Sequence, residues 1–119
     1  IAGYSQSNAV YNGNFSGSGT SMFGTSGTAQ LNIDFSADTA TLKLTDNSAN
    51  FVNYGNFNGL NTNTLTNGVM TSNSLGGSGG TADGKFYGLT GNTINGNYTF
   101  EASGTTQGTY DVTSSQPLH

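Results

Sequence analysis

The sequence has no cysteine, no tryptophan, no arginine and a single proline, and only two of its 119 residues are basic. Each scarcity closes off a class of protein. Without cysteine there is no disulfide framework, no thiolate metal site and no cysteine nucleophile. Lys43 and Lys85 stand against Asp34, Asp38, Asp46, Asp83, Asp111 and Glu101, for a net charge of −4. Such a chain cannot neutralise a run of phosphates, so nucleic acid is not expected as a partner. Glu, Lys, Arg and Ala are too few for a helical protein. No apolar run has the length of a membrane-spanning helix. The one histidine, His119, is the last residue and is assigned no chemistry.

Gly, Thr, Asn and Ser together make up more than half of the chain. That mixture alone would suit a disordered linker. Seven Phe and six Tyr spread along the whole length argue for a core instead, and Thr favours strands. A polar, weakly charged, Thr-rich chain studded with aromatics reads as an all-β domain of a surface-exposed or secreted protein. A cytosolic enzyme ordinarily carries about a quarter charged residues. The length suits one domain, with a barrel over 9–114 and an appended tail over 115–119. The chain begins at Ile1 rather than Met, which leads to the expectation that a signal peptide or upstream sequence has been removed.

Alternation with a period of two is the main structural signal. Ala29, Leu31, Ile33 and Phe35 alternate with Gln30, Asn32 and Asp34, and Ala40, Leu42 and Leu44 alternate with Thr41, Lys43 and Thr45. Ser36 to Thr39 makes a hairpin-sized link between them. Ile94, Gly96, Tyr98, Phe100 and Ala102 form one face of a later strand, and Gly108, Tyr110 and Val112 one face of the next. One wet and one dry face per strand suits antiparallel pairing. Strands are expected at about 9–18, 26–35, 39–46, 51–59, 68–74, 83–88, 94–102 and 107–114. Asn61 to Asn67 reads as loop or strand, and Gly76 to Gly80 as a flexible loop.

A loose repeat overlies these strands. G-x-F-x-G occurs at Gly13-Phe15-Gly17, Gly55-Phe57-Gly59 and Gly84-Phe86-Gly88, with relatives at Gly96-Tyr98 and Gly108-Tyr110. Positions i, i+2 and i+4 of a strand share a face, so each motif sets a large ring between small residues. That suits a strongly curved sheet, in which glycine permits bending and rings fill the space beside it. Successive rings lie 42, 29, 12 and 12 residues apart, too uneven for a solenoid. Eight strands with hairpin links can close into an antiparallel up-and-down barrel that leaves no exposed edge. The faces opposite the rings carry Asn12, Asn14, Gln30, Asn32, Asp34, Lys43, Asn97, Glu101 and Asp111. An outer-membrane barrel would need apolar rows and aromatic girdles there, so a soluble barrel is expected.

The stretch Gly84-Lys85-Phe86-Tyr87-Gly88-Leu89-Thr90-Gly91-Asn92-Thr93-Ile94-Asn95-Gly96-Asn97-Tyr98 resembles the barrel signature of the transferrin-binding protein B family. In that family G-x-F-[FY]-G leads through a short turn into L-G-G-x-[FY]. Tyr11 to Phe15, Gly27 to Phe35 and Thr39 to Leu44 are similar to its first three strands, and Tyr110 falls where the last strand carries G-x-[FY]. Departures occur at Leu89-Thr90, where Pro-Asn is usual, at Asn92-Thr93, usually acidic, and at Asn95, usually Gly. They bear on the shape of the turn. The resemblance implies a barrel domain from a Gram-negative surface or secreted protein, among relatives that include transferrin-binding lipoproteins, factor H-binding lipoproteins and haem-scavenging hemophilins. It implies a location outside the cell or on the outer-membrane surface. It also implies recognition by the outer-membrane translocon of type eleven secretion. The chain has room for the barrel alone and lacks the cysteine that would carry a lipid anchor.

Sites of chemistry are few. Asp34 and Asp46 could act as an acid pair only if the fold joined them. Gly76 to Asp83 only loosely resembles a glycine-rich calcium repeat. Met22, Met70 and His119 do not make a set of haem ligands. No catalytic residue, metal site or cofactor is assigned. Phe15, Phe57, Phe86, Tyr98 and Tyr110 read as barrel core, with a ligand pocket as the alternative. The sequons at Asn14 and Asn97 should face outward, since both alternate with rings. The expected function is non-enzymatic: the barrel domain of a host-interaction protein tied to iron or haem acquisition and to export, monomeric, with a host protein or the translocon as partner. A small-ligand carrier in the manner of lipocalins or streptavidin, and an adhesive or structural module, stand as alternatives.

Overall fold

A computed structural model describes residues 8–20, 25–47, 52–60, 64–72, 79–88, 91–101 and 103–114, with 64–72 described as backbone only. Every element in these segments is a strand: β1 (Asn8–Gly19), β2 (Ser26–Asp34), β3 (Thr39–Asp46), β4 (Val52–Phe57), β5 (Thr64–Ser72), β6 (Gly79–Tyr87), β7 (Thr93–Glu101) and β8 (Thr105–Thr113). All ladders are antiparallel and join sequence neighbours. β1 also pairs with β8, from Asn12 opposite Thr113 to Gly19 opposite Thr106. The circuit of ladders is that of a closed barrel.

Burial follows the alternation. In β3 Ala40, Leu42, Leu44 and Asp46 are buried between half-buried neighbours, and in β7 Ile94, Gly96, Tyr98 and Phe100 are buried. A one-residue slip in any ladder would turn such a row to water, which is why register is strongly specified here. The core comprises Tyr11, Phe15, Leu31, Ile33, Leu42, Leu44, Phe57, Phe86, Ile94, Tyr98, Phe100, Tyr110 and Val112, with Ala9, Ala29, Ala40, Leu60 and Ala82. Among the described residues Val10 and Tyr87 are the large hydrophobics left exposed. The outer wall is therefore polar.

The bounds of β2, β3, β7 and β8 lie within two residues of the sequence expectation. Two strands need correction. β5 begins at Thr64, not 68, and β6 begins at Gly79, not 83. Gly79 and Gly80, read as loop, pair with Glu101 and Phe100. β5 was obscured by a break of phase. Leu65 pairs with Gly84 but Gly68 with Ala82, so two residues of β5 oppose Asp83 in a bulge. Alternation cannot be followed through such a step. β4 is also shorter than expected, ending at Phe57. Gly76 to Ser78, Leu89-Thr90, Met22 and the tail 115–119 with His119 lie outside the described residues, as does the side chain of Met70.

The β2–β3 connection is held by one carboxylate. Asp34 Oδ1 accepts hydrogen bonds from the Ser36 hydroxyl at 2.7 Å, the Ser36 N–H at 3.0 Å and the Ala37 N–H at 3.1 Å, while Asp38 takes φ 57°. This is an Asx-type turn. The Ser36 hydroxyl, followed by the Ala37 N–H, lowers the Asp34 pKa from 3.8. A carboxyl whose pKa is lower in the folded chain contributes stability above its unfolded value and loses it as pH falls through the folded one. Asp34→Asn should therefore be less stable than the parent at neutral pH, with the gap closing in acid. Urea midpoints of the two proteins across the pH range would check this; a constant gap would contradict it.

Candidate functional site

The rings of the five motifs all lie on strands and face the interior, while Gly59 and Gly88 fall just past the ends of β4 and β6. Phe15 stands opposite Gly27 on one side and Tyr110 on the other, Tyr110 opposite Gly96, and Tyr98 opposite Gly108 and Ala82. Phe15, Phe57, Phe86, Tyr98 and Tyr110 are all buried. Gly55, Gly84 and Gly96 are buried, Gly13 is half-buried and Gly88 is exposed. Phe15 meets Tyr98 edge to face, with centroids 5.6 Å apart and planes at 88°. Phe86 meets Tyr11 the same way at 6.3 Å and 70°. Edge-to-face contacts of this kind are favourable for aromatic quadrupoles. Tyr11 was named in the sequence only as part of a resemblance. Its hydroxyl donates to the Gly91 carbonyl at 2.7 Å, which ties β1 to the β6–β7 connection. Gly88, which closes the third motif, takes φ +90°, a conformation an L side chain rarely adopts.

The ring of Tyr110 lies over Gly96, and its hydroxyl reaches across β7 to donate to the Asp83 carbonyl at 2.6 Å. The Asn97 N–H opposite it is met by the Asp83 carboxylate, with Oδ1 accepting from the backbone N–H at 2.9 Å and from Nδ2 at 3.3 Å. Asp83 thus joins the β5 bulge, the Asn97 backbone and the buried phenol. Sequence reading weighed Asp83 only as the displaced acidic residue of a calcium repeat and gave it no role. Its adjacency to Gly84 was a faint signal; its partners come from strands 14 and 27 residues away. Burial, and then the Asp83 charge, push the Tyr110 hydroxyl above the ordinary tyrosine range. Burial pushes Tyr98 up to about 12. Both phenols stay protonated near neutral pH and do not serve as bases.

The two carboxylates considered as a pair are far apart. Asp34 lies opposite Thr39 at one end of the β2–β3 hairpin and Asp46 opposite Gly27 at the other, roughly 23 Å by strand rise. Among the described residues no three of His, Cys, Asp and Glu gather as metal ligands.

The outer wall offers a hydrogen-bonding surface. Gln30 Nε2 donates to Asn12 at 3.1 Å and Asn32 Nδ2 to Gln30 at 3.4 Å, an amide ladder across β1 and β2. Asn14 and Asn97 are exposed. Lys85 Nζ sits 5.7 Å from the ring centroid of exposed Tyr87. Two shallow depressions mark the wall. One of about 250 Å³ is bordered by Asn12, Thr28, Gln30, Lys43 and Thr45. Another of about 340 Å³ is bordered by Val10, Asn32, Asp34, Thr39 and Thr41. Such a wall can bind a protein or another polar surface by side-chain hydrogen bonds.

No protein family matches this sequence, and no curated protein does. Solved structures do match in fold. One is intact Ap-TbpB with its N and C lobes, at a TM-score of 0.70 and 16% identity, covering 90% of this chain and 26% of that one. Another is a tryptophan-to-alanine mutant of the vaccine antigen Transferrin Binding Protein B from Haemophilus parasuis Hp5, at a TM-score of 0.65 and 14% identity, with coverage of 90% and 26%. At these identities the likeness is one of fold. This chain spans about a quarter of the length of either protein.

Proposed function

We propose that this chain is the barrel domain of a bacterial surface-exposed or secreted protein that engages a host protein, in a system for acquiring iron or haem. The observation that carries the proposal is the likeness of 90% of the chain to a quarter of a transferrin-binding protein. The polar outer wall supports it, since among the described residues Val10 and Tyr87 are the large hydrophobics it exposes. In this reading the barrel is a rigid platform, and its wall and connections make the contact. A protein interface of ordinary size takes about 800 Å² from each partner, and the accessible surface of 5766 Å² can supply that from one wall. Recognition by the type eleven translocon, implied by the sequence resemblance, belongs to the same proposal as a second role of the barrel. The packing of Phe15 on Tyr98 and of Phe86 on Tyr11 favours a protein partner over a ligand held among those rings.

The test is direct binding. The folded chain, immobilised, should retain a protein from host serum, with iron-loaded and iron-free transferrin assayed separately by interferometry. Deleting the domain from its parent should abolish surface display if the barrel also serves export. A folded chain that retains no serum protein would overturn the host-partner role, and normal display of the deletion would overturn the export role.

A further inference from the structure

Three of the four buried polar side chains among the described residues lie at one end of the barrel. Among the described residues Asp46, Asn53, Thr106 and Ser114 are the buried polar side chains. Asp46 ends β3, Asn53 lies near the start of β4 and Thr106 near the start of β8. All three therefore lie at the end where β1 finishes and β2 begins. Ser114 follows β8 at the opposite end. Asp46 and Thr106 are engaged with protein neighbours. Asn53 is not. It is 0% exposed, and neither its amide nitrogen nor its carbonyl oxygen has a protein hydrogen-bond partner. The Tyr98 hydroxyl, on a residue 2% exposed, is likewise unpartnered.

Inward residues of alternate strands share levels in a tilted eight-stranded barrel. The paired rows put Gly27 of β2, Asn53 of β4, Gly80 of β6 and Gly108 of β8 at one level. Three of the four have no side chain, so Asn53 is the only side chain that this level projects inward. The neighbouring level carries Phe15, Leu44 and Tyr98, and the Tyr98 hydroxyl lies against the backbone of Gly17. A carboxamide has two donors and two acceptor lone pairs, and a phenol has one donor and an acceptor. In a dry core an apolar residue of the same shape would serve better than an asparagine with every bond unmade.

What would complete these bonds must both donate and accept. It must be small enough to stand among Leu44, Phe15 and Tyr98, and it needs no charge of its own, since the groups waiting for it are neutral. Water meets each condition, and a buried water ordinarily makes about three hydrogen bonds to groups of this kind. We propose that Asn53 and the Tyr98 hydroxyl form an internal hydration site, with long-lived water as the ligand at the polar end of the barrel. The proposal is independent of the host-partner reading. Burial raises the Tyr98 pKa, so its hydroxyl keeps its proton near neutral pH.

The test uses the full chain, labelled with nitrogen-15. Dipolar cross-peaks are expected between water and the Asn53 side-chain amide protons, with a residence time longer than about a nanosecond, the scale of surface side-chain motion. Oxygen-17 relaxation dispersion should count fewer long-lived waters in Asn53→Leu and in Tyr98→Phe than in the parent. Absence of the cross-peak in the folded parent would overturn the proposal, whether or not either variant folds. A tightly held organic molecule recovered on denaturation, with no slow water in the parent, would overturn it in favour of a ligand site.

Discussion

Gly96→Ala is expected to destabilise the barrel by about 3 kcal/mol, the upper part of the range for overpacking a core. A Cβ there would run into the Asp83 carbonyl on one side and stand 2.6 Å from both Cε1 and Cζ of Tyr110 on the other. The Tyr110 ring cannot swing away freely, because its hydroxyl is bonded to that same carbonyl. The carbonyl is backbone, placed opposite the β5 bulge. Neither neighbour can give without breaking the Asp83 arrangement. Gly59 supplies the control: nothing lies within 4 Å of a Cβ built there, so Gly59→Ala should move stability by less than about 0.5 kcal/mol, as surface changes do. Urea denaturation of the two variants beside the parent checks both. Equal midpoints for all three would mean that β6 and β7 are free to part at Asp83.

Tyr110→Ala should cost about 3–5 kcal/mol, as for a large buried ring removed from a core. Tyr110 is fully buried, covers Gly96 and stands opposite Phe15. Tyr110→Phe separates the ring from its hydroxyl. It should cost about 1 kcal/mol, the net worth of an ordinary hydrogen bond, because the Asp83 carbonyl loses its 2.6 Å partner. The order parent, Phe variant, Ala variant in denaturation midpoint is the expected result. A Phe variant as stable as the parent would show that the carbonyl regains a partner from the β5 side.

The part of the fold legible in the sequence is the part whose signal is local. Leu31 and Ile33, or Leu42 and Leu44, announce a strand and its dry face within a few residues, and the ladder puts Leu31 opposite Leu42. The rings at Phe15, Phe57, Phe86, Tyr98 and Tyr110 were marked as inner by their flanking glycines and small residues, and each is buried. Where the pattern is interrupted the reading fails. Thr64 to Ser72 changes phase at the bulge, and Gly79-Gly80 carries the composition of a loop while its backbone pairs with β7. The Asp83 arrangement was not legible, because Asp83, Asn97 and Tyr110 meet across three strands.

Composition and spacing by themselves determined that this chain would be antiparallel strands with rings and glycines inside and amides and hydroxyls outside. That follows because side-chain direction in a strand depends only on parity along the chain. Which ring covers which glycine, which carbonyl a phenol reaches and which asparagine is sealed without a partner depend on stagger between strands. Stagger is set by the tilt and closure of all the ladders together. Tyr110 meets Asp83 and Asn53 shares a level with Gly27, Gly80 and Gly108 only once β1 has paired with β8 and the bulge in β5 has shifted the register. A two-residue period carries no record of either event.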